Sequence, residues 1–270
     1  MALQSDCCRE IVSVLLERGS NHYTIPESTL VAAINNGFHS GFLSLFLDRG
    51  VKFDVTESVL VAAVESAWGR EHLSLFIDRD VKFDVTEPIL VAATGRNYGI
   101  LGLLLEEGVN LDVTQSMLVA AVKNSWGSEV LSLLLEKGIN FDVTEPVLVA
   151  AMGRGCETLG LLLERGIKFD ITETVLVAAA KSISGCEIFS MLLERGITIE
   201  ITESVLEAVV TNTQGEIVKL FLAHGIKFDV TECVLAAAAQ NRGWPEILAV
   251  FLNKDPSLGV ALYVESRRLS

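Results

Sequence analysis

Aromatic residues make up only 7% of this 270-residue chain, and it has five prolines, five cysteines and four histidines. Each shortage excludes something. The histidines (His22, His39, His72 and His224) show neither HExxH nor i,i+4 pairing, so no metal site is expected. The cysteines form no CxxC pair. Cys7 and Cys8 are adjacent, which suits neither a zinc knuckle nor an ordinary disulfide, and all five read as small reduced hydrophobes. GxSxG, the P-loop and the dinucleotide fingerprint are all missing, so no cofactor is expected. Basic residues are scarce as well: 21 Lys and Arg stand against 35 Asp and Glu, a net charge of −14 and a pI near 4.7. Phosphate binding starts from a basic face, so nucleic acid is excluded as a partner and anionic membranes are disfavoured.

Long apolar runs are absent too. The longest, such as Met117 to Val122, reach about six residues where a membrane span needs about 18. Met1 to Glu10 carries Asp6, Arg9 and Glu10 and no apolar run of the signal-peptide kind, so the expected location is cytoplasmic. Yet half the residues are apolar, mean hydropathy is +0.44 and only 21% are charged, a balance that excludes intrinsic disorder. The excess of apolar residues therefore needs a structural address.

Self-similarity supplies it. Phe53-Asp54-Val55-Thr56-Glu57 returns at Phe83 to Glu87, Phe141 to Glu145, Phe169 to Glu173 and Phe228 to Glu232, with looser copies at Leu111 to Gln115 and Ile199 to Glu203. The threonines at 56, 86, 114, 144, 172, 202 and 231 are spaced by 30, 28, 30, 28, 30 and 29 residues. Pro26 fills the same slot one period earlier. Residues 1–23 read as a half-repeat that caps the N-terminal side, 24–252 as eight repeat units, and 253–270 as a C-terminal cap or tail.

Each unit reads as two helices. Thr56 or Asp54 can cap the first, and Asp54 with Glu57 has capping-box spacing. Pro88 and Pro146 fall in the first turn, where proline is tolerated. The second helix carries a Leu-Leu-Leu run and stops at a glycine (Gly50, Gly108, Gly138, Gly166, Gly196, Gly225), with Asp80 as the departure. No strand of useful length is predicted, so the fold class is all-α, a helical solenoid.

The units resemble ankyrin repeats over nearly the whole chain. Glu87-Pro88-Ile89-Leu90-Val91-Ala92-Ala93 stands where that family has Thr-Pro-Leu-His-x-Ala-Ala, and Ile100 to Gly108 continues as its Ile-Val-x-Leu-Leu-Leu-x-x-Gly. The Thr-Glu-x-Val-Leu-x-Ala-Ala form at about 29 residues is similar to degenerate ankyrin-like repeats of filamentous fungi. The resemblance implies an ankyrin-like helical solenoid of about eight helix-loop-helix repeats, with shortened hairpin fingers and a concave face built by the first helices. Two departures stand out. The fingers that commonly carry partner recognition are cut short, and the family's histidine slot holds leucine throughout (Leu30, Leu60, Leu90, Leu118, Leu148, Leu176, Leu206, Leu235).

Two ranks on the first helix decide the functional reading: the leucine rank and the next, Val31, Val61, Val91, Val119, Val149, Val177, Glu207 and Ala236. Either both are stacking core, or they line an apolar groove. The groove reading nominates Leu90, Val91, Leu118, Val119, Leu148 and Val149 as ligand contacts. Trp68, Arg96, Tyr98, Lys123, Trp126 and Arg154 join them as an aromatic and polar rim just past the first helices, where Asn36, Ser66, Asn212 and Asn241 also fall. Glu207 breaks the valine rank and is the candidate catalytic residue, since a desolvated carboxyl could serve as a proton donor. Beside a structural subunit whose apolar groove is closed by self-association, two functions compete. One is a monomeric interaction scaffold that presents its concave face to another protein. The other is a binder of a small hydrophobic molecule such as a terpenoid or polyketide, or a cofactor-independent cyclase, pericyclase or isomerase of secondary metabolism acting on one.

Overall fold

The computed structural model describes residues 24–37, 40–96, 98–109, 111–212, 215–256 and 258. The expected N-terminal half-repeat and most of the tail lie outside them, as do the side chains of Arg96 and Tyr98. The described residues are all-helical, and none of their helices is long and apolar enough to cross a membrane. They fall into two units, one to Asn140 and one from Phe141, with four helix pairs in each.

The first unit contains α1 (Glu27–Asn35), α2 (Ser40–Asp48), α3 (Glu57–Glu65), α4 (Gly69–Asp78), α5 (Glu87–Arg96), α6 (Tyr98–Glu106), α7 (Gln115–Lys123) and α8 (Gly127–Glu136). The second contains α9 (Glu145–Met152), α10 (Glu157–Glu164), α11 (Glu173–Lys181), α12 (Gly185–Glu194), α13 (Glu203–Asn212), α14 (Glu216–Ala223), α15 (Glu232–Ala239) and α16 (Trp244–Lys254). The last helix thus runs two residues past the expected repeat boundary at 252. Odd-numbered helices are the first of each pair. Within the first unit α1, α3, α5 and α7 pack in succession, and so do α2, α4, α6 and α8; in the second, α9, α11, α13 and α15 pack in succession. Helices of eight to eleven residues are marginal alone, so this packing is what holds them.

The recurring motif explains each element. The Thr56, Thr114, Thr172, Thr202 and Thr231 hydroxyls accept the N–H three residues on, at 3.3 to 3.4 Å. Threonine is therefore the N-cap, and Glu57 stands at the first helical position beside the positive dipole end. The expected Asp54–Glu57 capping box does not form, because Asp54 lies two residues outside the cap. Pro26 occupies the cap of α1, without a side-chain bond. Upstream of the cap the chain is extended and alternates, Phe53 and Val55 turning onto the core while Asp54 stays exposed.

The second helices end as expected. The N–H of Ile139 reaches back to Leu134 O at 2.9 Å across Gly138, whose φ of +71° is the left-handed conformation this turn requires. Asp80 takes the same turn at φ +50°, a conformation that costs a residue bearing a Cβ. In the longer repeats another glycine is needed for space. A Cβ on Gly69 would lie 2.5 Å from Val64 O and 2.8 Å from Ile100 Cδ1. Gly127 and Gly185 are equally hemmed in, so the Trp-Gly and Ser-Gly pairs let α4, α8 and α12 start tight against the preceding helix.

Candidate functional site

At 100° per residue, the exposed side of α3 is formed by Glu57, Ser58, Val61 and Glu65. Val59, Leu60, Ala63 and Val64 point the other way and are at most 1% exposed. The two ranks therefore separate. Leu90, Leu118 and Leu148, nominated as ligand contacts, are 5%, 2% and 1% exposed and belong to the core. A fully buried leucine is worth about 1.5–3 kcal/mol in its transfer from water, and such a side chain offers no surface to a ligand. The valines Val31, Val61, Val91, Val119, Val149 and Val177 are half-buried, and Val31, Val61 and Val91 pack against the buried core.

Each unit has an open groove on this face. In the first, Val61, Glu65, Pro88, Val91, Ala92, Gly95 and Ala120 enclose about 680 Å³ along α3, α5 and α7. The floor is valine and alanine, and its one charged group is a carboxylate. In the second, Val177, Lys181, Ser204, Glu207, Ala208, Thr211, Asn212 and Ala237 enclose about 400 Å³ along α11, α13 and α15. Here the floor carries a cation, a carboxylate, two hydroxyls and an amide.

The rim expected past the first helices resolves into two sets. Trp68 and Trp126 are 44% and 45% exposed in the loops after α3 and α7, and Lys123 and Arg154 are exposed. The others hold backbone. Asn36 Nδ2 donates to Ala32 O at 2.7 Å, and Ser66 Oγ to Ala63 O at 2.8 Å. In the second unit Asn212 Nδ2 donates to Ala180 O at 2.9 Å and Asn241 Nδ2 to Val210 O at 2.8 Å, each reaching the preceding repeat. These asparagines close exposed helix carbonyls. Nothing in a single repeat signals them, because their partners lie 31 to 32 residues away. Ile183, fully exposed in the loop before α12, is one that the repeat pattern did not single out.

Glu207 is half-buried in the floor of the second groove. It also belongs to a set that the motif search passed over: donor atoms of Glu203, Glu207 and Cys233 lie within 4.8 Å of one another. Glu203 and Cys233 are exposed, and Glu203 Oε1 accepts a hydrogen bond from Thr231. The Glu203 carboxylate, followed by desolvation, pushes the Cys233 thiol above its ordinary range, so it is protonated at neutral pH. Cys186 is raised too, chiefly by burial. Thr202 Oγ1 donates to Glu173 Oε1 at 2.6 Å, and with Ser204 it holds the Glu173 carboxyl below its usual range. The buried His72 meets Ser66 Oγ at 3.1 Å, and His224 closes the end of α14 through Leu220 O at 3.0 Å.

A family described only as a domain of unknown function, DUF7104, matches residues 161–188 and 191–218. The two matches begin 30 residues apart, and each runs from the end of one second helix through the next first helix to the start of another second helix. The repeat is thus recognised in tandem over a minority of the chain. No curated protein matches it significantly.

Proposed function

We propose that this chain is an interaction scaffold: an ankyrin-like helical solenoid of about eight repeats whose first helices form a concave face for another protein. The observation that carries the reading is the row of half-buried valines standing over open grooves, with the leucine rank beneath, except the half-buried Leu235, already used as core. An apolar row of this kind, left partly uncovered on a regular face, is what a partner's side chains would complete. The open shape favours a macromolecule over an enclosed small ligand, since drug-sized molecules bury most of their surface when bound.

One observation favours a second reading, the binding of a small hydrophobic metabolite. The groove along α11, α13 and α15 combines an apolar flank with Lys181, Glu207, Thr211 and Asn212, the few convergent polar groups expected of such a site. Cofactor-independent cyclisation or isomerisation there would also require water to be excluded, which an open groove does not provide.

A photo-crosslinking residue placed at 61, 91, 149 and 177 in the full chain, with exposed second-helix positions 106, 136, 164 and 194 as controls, separates these readings. The scaffold predicts one shared protein adduct from the first-helix set alone. A small-molecule mass increment confined to 177 would favour the second reading, and adducts only from the controls would sink both.

A further inference from the structure

We propose that the groove along α3, α5 and α7 takes a basic amphipathic segment of its partner protein, apolar side chains seated on the valines and lysines or arginines along its acidic edge. The inference deepens the scaffold reading and rests on it.

The groove's lining holds one charged side chain, Glu65, and no cation. At the N-terminal ends of α3 and α5, Asp54, Glu57, Asp84 and Glu87 are all exposed. Glu57 shares the outward face of α3 with Val61, one turn away, and Glu87 stands likewise to Val91. In the second unit two of the corresponding glutamates are engaged by the next repeat's threonines, Thr202 on Glu173 and Thr231 on Glu203. In the first unit Thr86 Oγ1 is buried without a partner, so Glu57 receives no such bond. Its carboxylate, beside an apolar floor, stays available to an incoming cation. Positive charge aimed at an acidic edge also steers encounter and rejects wrong partners.

The loops that follow α3 and α7 add exposed Trp68 and Trp126. Tryptophan is enriched among the residues that dominate binding energy, and its face attracts lysine and arginine. Cations on this side are Lys52 and Lys82, each two residues before Asp54 and Asp84, Lys123 at the end of α7, and Arg96, whose side chain is not described; with Glu57, Glu65 and Glu87 added, carboxylates still outnumber them. A second copy of the chain fits poorly, because a two-fold contact through this face would set Glu57 and Glu87 against themselves. Nucleic acid and anionic lipid are repelled by the same edge.

The test is selection of a displayed random 16-residue peptide library on the full-length protein at physiological salt. Enriched peptides should carry lysine and arginine well above the library mean, interspersed with leucine, isoleucine or phenylalanine. Their affinity should fall about tenfold or more for the Glu57→Gln/Glu87→Gln pair, and again for Val91→Asn. It should stay unchanged for Glu106→Gln/Glu136→Gln on the second helices. These exposed glutamine variants keep the fold, because a first-turn glutamate adds little to the stability of its helix. Enriched peptides with no basic excess that still lose binding to Val91→Asn would overturn the charge inference and leave the scaffold reading standing. Equal loss for the control pair would reduce the effect to general attraction and overturn it as well. No enrichment at all would sink both.

Discussion

Val31, Val61, Val91 and Val119 occupy the outward position of four first helices before residue 140, whereas from Phe141 onward the same position runs Val149, Val177, Glu207 and Ala236. The grooves differ accordingly, one floored by valine and alanine, the other by Lys181, Glu207, Thr211 and Asn212. Polar contacts between repeats differ too. In the second unit Asn241 Nδ2 reaches carbonyls of the preceding repeat at 2.8 and 3.0 Å, whereas in the first the buried Asn124 Nδ2 has no partner. Core positions, by contrast, are apolar in both units with few exceptions, the buried His72, Thr94, Thr158 and Ser182. The repeat thus fixes its interior and leaves its outward face free to vary, which is where function has room to differ between the two halves.

The largest expected effect tests the interior of the second unit. Phe221 is fully buried, with its ring 5.0 Å from Phe189 in an edge-to-face contact and 6.5 Å from Phe228. Phe221→Ala should cost about 3–5 kcal/mol in urea unfolding, from lost burial and the cavity left behind. A cost under about 1 kcal/mol would mean the stack is loose there.

Next comes the contrast between the asparagines. Asn241→Ser removes two bonds to carbonyls of the preceding repeat and should cost about 1–2 kcal/mol. Asn124→Ser should be neutral or stabilising by up to about 1 kcal/mol, since it deletes a buried unpartnered amide. Serine already fills that slot at Ser66 and Ser182, where its hydroxyl accepts the N–H two residues on. Equal costs for the two variants would erase the distinction between the units.

Smaller still is the effect at Asp80, the one residue other than glycine with a positive φ among those described. Asp80→Gly should raise stability by about 0.5–1 kcal/mol, seen as a higher unfolding midpoint. The smallest effect is in the second unit. Thr202 and Ser204 depress the Glu173 pKa in the folded state, so their support is complete above its ordinary value near 4.5 and is lost as pH falls below it. The wild type should therefore lose more stability than Glu173→Gln between pH 6 and pH 3. Parallel acid limbs would contradict this.

Much of the architecture was legible beforehand, because a repeat prints the same local rule many times. Threonine before every first helix but α1, and glycine after every second helix but α4 and α16, follow from capping chemistry. The Asp54–Glu57 pairing misled because a capping-box spacing says nothing about which residue starts the helix, and Thr56 holds that place. Leu90 and Val91 could not be told apart by hydropathy. They are adjacent, both apolar and on a helix with little amphipathic contrast, so only packing separates them. Glu207 stood out as a break in the valine rank and does line a groove, but its neighbours Glu203 and Cys233 come from one turn earlier and from the next repeat. The Asn212 and Asn241 contacts were illegible for the same reason, since their partners are a full repeat away.

Apart from Leu235, the leucine rank is interior, while the valine rank is half-open. Urea unfolding of Leu90→Asn and Val91→Asn, two neighbours given the same polar side chain, tests this most directly. Leu90→Asn should cost about 3 kcal/mol or more, from lost burial and a stranded amide, while Val91→Asn should cost about 1 kcal/mol or less. Equal costs would mean that both ranks are core and that the groove face has no free apolar row to offer a partner.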